Sequence, residues 1–404
     1  MPTPTPSPYF AQMTDLHVGR TDWRSELAAQ HLAEALREMA ALDPQPAFVL
    51  ATADIVSAGT KAELRRYRDI ARDFPIPIWH QAANHDLWGD ASEPDGWDAI
   101  MGPRRHCFDH EGVRFVLVHE YKRRPDGSWH AHMSPDDLAW LREQLDGWGT
   151  RPVVVAQHSP LLRVGGAFID VWANSNADEY LTVLADYNVL AIVTGHWHRN
   201  LAWTIGPTGK PQSIRLWSTG TMMGNQWTGY PPHYWFATRP GYRLFHLADG
   251  ELRTFWRELY AQPQVQLPWV GPAYTQGPHP QVRVPIVHGP VTLGAQACAL
   301  GGRIESVEWA LCTQAPAEGY KTEWHALDGW KPMARTFDAL WSDWGADLDP
   351  AGLEPGDYVV ALRARAVDGK MAVEGTPITL RPDPAAPPAE AGPEQVFALF
   401  YPPV

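Results

Sequence analysis

Val189–Asn200 reads VLAIVTGHWHRN: an apolar, β-branched run, one glycine, then His196 and His198 with a single residue between them. The run is too short for a helix and too apolar for a half-exposed strand, so it reads as a buried strand that ends on two imidazoles. The same grammar recurs four times upstream. Tyr9–Met13 (YFAQM) leads into Asp15-Leu16-His17, and Ala47–Ala51 (AFVLA) into Asp54. Ile76–Gln81 (IPIWHQ) leads into Asn84-His85-Asp86, and Pro152–Gln157 (PVVVAQ) into His158. Amphipathic segments at helical spacing fill the gaps, over 23–42, 61–74 and 177–187. A further helix follows Ser134, which can cap it with Asp137 three residues on. Arg105–Glu120 reads as a hairpin turning at Glu111-Gly112. Strand–helix alternation indicates an α/β domain, and in such sheets the C-terminal strand edge is where ligands bind.

Singly, each motif is ordinary. D-x-H arises by chance, N-H-D is a common turn, and a histidine before Ser159-Pro160 is a loop residue. Together and in order, each at a strand end, they point to chemistry. Asp, Asn and His without thiolate suit Mn²⁺, Fe or Zn²⁺. Seven such residues exceed the three or four that a single zinc needs, and one carboxylate can hold two ions ~3.5–4 Å apart.

The chain has 404 residues, with 33 Lys+Arg against 46 Asp+Glu, a net charge of −13. That balance argues against a nucleic-acid duplex as partner. A phosphate-processing protein so acidic needs imported positive charge, and a metal supplies it. Only three cysteines occur, Cys107, Cys298 and Cys312, so no disulfide framework is expected; buried free thiols are favoured over a Cys298–Cys312 bridge. No apolar run approaches the ~18 residues of a membrane span, and MPTPTPSPYF lacks the pattern of a signal peptide. A soluble, cytoplasmic protein is the expectation.

Beyond residue 262 the pattern changes. The proline-dense 263–290 stretch reads as a linker. Residues 291–404 alternate like short antiparallel strands, as in ESVEWAL (305–311) and YVVALRARA (358–366), and suggest a small β-sandwich. The tail PEQVFALFY is a candidate last strand. Trp309, Trp324, Trp330, Trp341 and Trp344 crowd this module and read mainly as packing residues. The expected division is 1–262 catalytic, 263–290 linker, 291–404 accessory, with a homodimer through the last part.

The ordered set D-x-H, D, N-H-D, H, G-H-x-H resembles the calcineurin-like metallophosphoesterase superfamily over about residues 9–260. It looks nearest to the class III cyclic-nucleotide phosphodiesterase branch and its bacterial relatives, and the C-terminal module resembles an immunoglobulin or fibronectin-III domain. The resemblance implies a four-layer α/β/β/α sandwich of two mixed sheets. It implies two metal ions, Mn²⁺ first, with Fe or Zn²⁺ as alternatives. Asp15, His17 and His198 would hold one ion, Asn84, His158 and His196 the other, and Asp54 would bridge. His85 would assist the leaving oxygen without ligating, and Asp86 would orient His85. The implied reaction is hydrolysis of a small phosphodiester. A phosphomonoesterase is the alternative, and a scaffold that has lost its chemistry is disfavoured because every ligand position is filled. Arg20, Trp197, Arg199 and Tyr121 are candidate substrate contacts, with His130 and His132 beside them in the insertion. Two departures stand out. The family has glycine where this chain has Ala53 and Ala83, so a small backbone adjustment is expected. Ser57 stands where purple acid phosphatases carry a tyrosine.

Overall fold

The computed structural model describes residues 7–19, 27–164, 166–211, 213–227, 235–237, 239–248, 250–271, 274–276, 284–314 and 324–381. It divides into two units, 1–199 with 203–259, and 200–202 with 260–404.

In the first unit, two mixed sheets carry the site. One runs in the order Glu251–Glu258, Gly241–Ala248, Tyr9–Met13, Val49–Thr52, Ile78–Gln81. Its last three strands are parallel, with Met13 opposite Ala51 and Ala51 opposite His80, so their C-terminal ends finish level. Gly241–Ala248 joins antiparallel. The other sheet runs Leu201–Ile205, Ile214–Ser218, Val189–Thr194, Val153–Ala156, Val113–Leu117, His106–His110. Its middle is parallel and His106–His110 closes one edge antiparallel. That edge hairpin turns at Glu111 (φ +47°) and Gly112 (φ +76°), the pair of positive φ values a two-residue primed turn requires.

Aromatic side chains lock the two sheets face to face. Phe10 of the first sheet meets Phe115 of the second edge-on at 5.1 Å, Phe48 meets Phe115 at 4.9 Å, and Trp217 meets Phe245 at 5.8 Å. Helices supply the outer layers. Ala28–Ala40 buries Leu32, Ala35, Leu36 and Met39 and packs beside Lys61–Ile70. Pro135–Leu145 packs beside Ala177–Leu184. Ser134 and Asp137 form a reciprocal capping box, as the sequence suggests. The result is the expected α/β/β/α order. The first helix begins at Ala28, later than expected, and residues 20–26 lie outside the described residues.

In the second unit, two sheets share one apolar core that includes Leu267, Leu293, Trp309, Trp344, Leu362 and Ile378. The linker expected over 263–290 is corrected here. Gln264–Gly271 pairs antiparallel with Val291–Cys298, and Val284–Val287 pairs with Met371–Leu380, so the described parts of this stretch are strands. Pro268 is tolerated because the register shifts between Gln266 and Trp269, where an irregularity removes the need for its missing N–H. Cys298 and Cys312 are buried free thiols. The tail beyond Arg381, including PEQVFALFY, lies outside the described residues.

Candidate metal centre

The loops that leave the parallel strands twist into the left-handed region as they reach the site. Asp15, His17, Ala53, Asp54, His196 and His198 all have φ between +47° and +69°. Such values cost non-glycine residues energy and persist only where surroundings enforce them. The enforcement is visible. Asp15 N–H donates to Ala53 O (3.1 Å) and His17 N–H to Asp54 O (2.9 Å). His196 N–H donates to Asp15 Oδ2 (2.9 Å), and Thr14 Oγ1 donates to the same carboxylate (2.8 Å). Gly195 is required by proximity, since a Cβ there would lie 1.9 Å from Thr14 Oγ1 and 2.5 Å from Asp15 Oδ2. His158 Nδ1 donates to Thr52 O (2.8 Å), which ties the second sheet to the first and leaves Nε2 free to ligate.

These loops gather the expected residues. Ligand atoms of Asp15, His17 and His198 lie within 4.8 Å of one another, and so do those of Asp54, His158 and His196. A third grouping, His17, Asp54 and His85, joins the two. His198 Nε2 is 3.1 Å from Asp15 Oδ1, and His158 Nε2 is 3.2 Å from Asp54 Oδ2. Both ring nitrogens of His17 and the Oδ1 of Asn84 are buried without a hydrogen-bond partner. Buried polar atoms are normally satisfied, so unpaired atoms on two of the expected ligands fit cations of borderline hardness. The charges agree. Burial alone would raise Asp15, but the imidazoles of His198 and His158 bring it down to about 2. Burial would lower His158, but Asp54 and Asp15 push it up to about 10. In the metal-free protein a protonated imidazole thus occupies the place of positive charge between two carboxylates.

His85 Nδ1 donates to Ser57 O at 2.7 Å, so Nε2 is the atom left for chemistry, and its ring stands edge-on to His17 at 4.6 Å. Asp86 does not orient His85, and that expectation is corrected. Asp86 Oδ1 accepts from Ile55 N (2.8 Å) and Val56 N (3.0 Å), and Oδ2 accepts from Ala83 N (3.0 Å). It clamps the Asp54 loop onto the Asn84 loop. Burial, followed by the charge of Asp54, raises it to about 8. Glu120, unmarked by the sequence reading, does the same for another loop: its Oε1 accepts from His158 N (2.8 Å) and Ser159 N (2.9 Å). It follows the apolar run VRFVLVH, the same strand-end signal that marks the ligands.

The expected substrate contacts fare differently. Arg20 lies outside the described residues. Arg199 is 1% exposed and sits in the interior rather than at a solvent-facing mouth. Trp197 is 7% exposed, stacks on Trp203 at 5.7 Å and donates its indole N–H to Asp170 Oδ2 (2.8 Å), so its role is packing. Tyr121 is also buried. Its ring packs on Ala53 and Ala83, and its hydroxyl pairs with Ser159 Oγ and lies 3.4 Å from His196 Nδ1. It forms the back wall of the ligand cluster. His130 belongs to the small hairpin of Tyr121–Arg123 and Trp129–Ala131 and His132 follows it directly, both outside every ligand grouping. Among the described residues, Trp88 faces solvent here, 49% exposed, with its ring centroid 3.7 Å from that of His85.

Comparison with known proteins agrees with this geometry. The family profile described as Calcineurin-like phosphoesterase matches residues 8–200, which hold all seven ligand candidates and His85. The chain is 25% identical over 276 residues to a probable cyclic nucleotide phosphodiesterase of Psychrobacter arcticus, covering 63% of this chain and 95% of that protein. It is 25% identical over 263 residues to a 3',5'-cyclic adenosine monophosphate phosphodiesterase of Pseudomonas aeruginosa, covering 63% and 90%. It is 24% identical over 197 residues to a probable glycerophosphodiester phosphodiesterase of Arcobacter nitrofigilis, covering 46% and 71%. With the fold, the strand-end ligands and the profile in agreement, residues 8–200 of this chain are a calcineurin-like phosphoesterase domain.

Proposed function

We propose that the chain is a two-metal phosphodiesterase that hydrolyses small phosphodiesters, either cyclic nucleotides or aryl and alkyl diesters. The observation that carries this is the pair of ligand triads, Asp15–His17–His198 and Asp54–His158–His196, joined where His17 Nε2 comes within 3.8 Å of Asp54 Oδ2. Asp15, His17 and His198 would hold one cation and Asn84, His158 and His196 the other, with Asp54 shared. When bound, such ions act as Lewis acids and lower the pKa of water. Mn²⁺ is the first candidate for an all-oxygen-and-imidazole set, with Fe and Zn²⁺ behind it. His85, anchored through Nδ1 by Ser57, has Nε2 available toward the leaving oxygen; only as the imidazolium, which its burial disfavours, would it supply a proton there.

The relatives named for cyclic-nucleotide and glycerophosphodiester cleavage favour a diester over a monoester. A monoester reading would want a cation at the mouth, and the described candidate, Arg199, is buried. We place the reaction in the cytoplasm and assign homodimerisation to the second unit on the sequence pattern; size-exclusion chromatography with light scattering tests the latter. The function is tested by stripping metal from the full chain, reloading with Mn²⁺ and assaying cyclic nucleotides, aryl diesters, glycerophosphodiesters and monoesters. Two bound ions with diesters preferred supports the reading. Fewer than one ion per chain, or turnover of monoesters alone, overturns it.

A further inference from the structure

Asp170 belongs to none of the ligand groupings, yet it touches the site. Its Oδ2 lies 3.1 Å from His196 Nε2 and 2.8 Å from Trp197 Nε1. One carboxylate oxygen therefore grips two consecutive residues of the G-H-x-H turn. A carboxylate only accepts, so both nitrogens donate to it. In the neutral form that can ligate, His196 then carries its proton on Nε2 and its lone pair on Nδ1, which lies 3.4 Å from the Tyr121 hydroxyl; the residue groups with Asp54 and His158.

We propose that Asp170 is the positioning residue of the second metal. It fixes the tautomer and ring orientation of His196, and through the Trp197 indole it fixes the turn that carries both histidines. This rests on the two-metal reading above. The placement is built rather than incidental. Asp170 itself holds φ +59°, a strained value for a non-glycine residue. The loop around it is held from both sides. Ile169 N–H donates to Leu162 O (3.1 Å) and Ala173 N–H to Asp170 O (2.9 Å). Trp172, fully buried two residues on, donates its indole N–H to Ser159 O (3.2 Å) and stacks on Tyr180. A carboxylate behind a ligating imidazole raises its basicity, and losing one commonly costs 10–100-fold in metal affinity.

The test uses the full chain, stripped with a chelator and titrated calorimetrically with Mn²⁺ and spectroscopically with Co²⁺. Wild type should bind two equivalents. Asp170→Ala should weaken the second, whose ligand His196 it touches directly, about 10–100-fold, with loss of the second-site Co²⁺ bands, and weaken the first, reached only through the turn that carries His198, much less. Asp170→Asn, which keeps size and an acceptor oxygen, should fall between, and it preserves the test if the alanine variant fails to fold. The metal-free Asp170→Ala variant should melt lower, because the Trp197 indole loses its acceptor, so the discriminating readout is the unequal weakening of the two sites. Two equivalents at unchanged affinity in both variants would overturn the proposal. So would equal weakening of both sites, the mark of a purely structural side chain. If wild type binds fewer than one equivalent, the two-metal reading falls before any variant is measured.

Discussion

The carbonyl oxygen of Ser57 lies 2.7 Å from Nδ1 of His85 and commits that nitrogen's proton to the backbone. The free Nε2 can then serve the leaving group. Replacing His85 with Ala should lower kcat about 10²–10⁴-fold on alkyl diesters while leaving both metals bound. A p-nitrophenyl leaving group departs without a proton, so its deficit should be at least tenfold smaller. Equal losses on both substrates, or loss of metal, would remove the acid role.

Asp86 accepts three backbone N–H groups that have no access to water. Asp86→Ala should destabilise the protein by roughly 3 kcal/mol or more, since each orphaned donor costs about 1–3 kcal/mol. Urea unfolding measures it. A loss under 1 kcal/mol with wild-type turnover would show that the clamp is dispensable.

His158 gives a pH dependence of definite sign. Its ordinary value is 6.5, and the folded, metal-free protein holds it at about 10 because Asp54 and Asp15 outweigh burial. A raised cationic group stabilises fully below the unfolded value and loses that stabilisation as pH rises through the folded one. The melting temperature of metal-free protein should therefore decline as pH rises from 6.5 toward 8.5 and beyond. Saturating Mn²⁺ should flatten the decline, because the ion takes the place of the proton, and its binding should release protons. Calorimetry in two buffers of different ionisation enthalpy counts them; a proton count of zero contradicts the assignment.

Ala53 stands at φ +68° with its methyl against Tyr121 and Ala83. Ala53→Gly relieves backbone strain but loses a packed methyl, so stability should change by less than about 1 kcal/mol. Ala53→Val adds a β-branch in the left-handed region and overfills the wall, and should cost about 2 kcal/mol or more. Thermal melts of the pair distinguish strain from ordinary packing: a tolerated valine would refute it.

Trp88 offers an exposed face beside His85, the residue proposed to serve the leaving group. Trp88→Ala should raise KM for diesters bearing a base or aryl group about 5–100-fold, the worth of one stacking contact, and leave small alkyl diesters unaffected. A uniform change across both substrate classes would argue against stacking.

The ligands were legible because each follows an apolar run that the parallel register then brings level, as Met13, Ala51 and His80 show. Their supports were not. The partner of His85 is a backbone carbonyl, for which residue identity at 57 carries no signal. Asp170 comes from a segment without periodicity and meets its partner 26 residues away. Trp197 and Tyr121, read as substrate contacts, turned inward because indole and phenol groups find buried partners. Proline density misled in the second unit, where Pro268 sits in a strand at a shift of register.

Gly195 and Thr14 come from opposite sheets and touch where a methyl group cannot fit. In a saturation library, the 195 codon should tolerate glycine alone among active clones. Shrinking position 14 would not rescue a second-site variant, because the Asp15 carboxylate occupies the same space. Drift in this lineage can therefore reshape the rim around Trp88 and the second unit, whereas the seam between the sheets is closed to it.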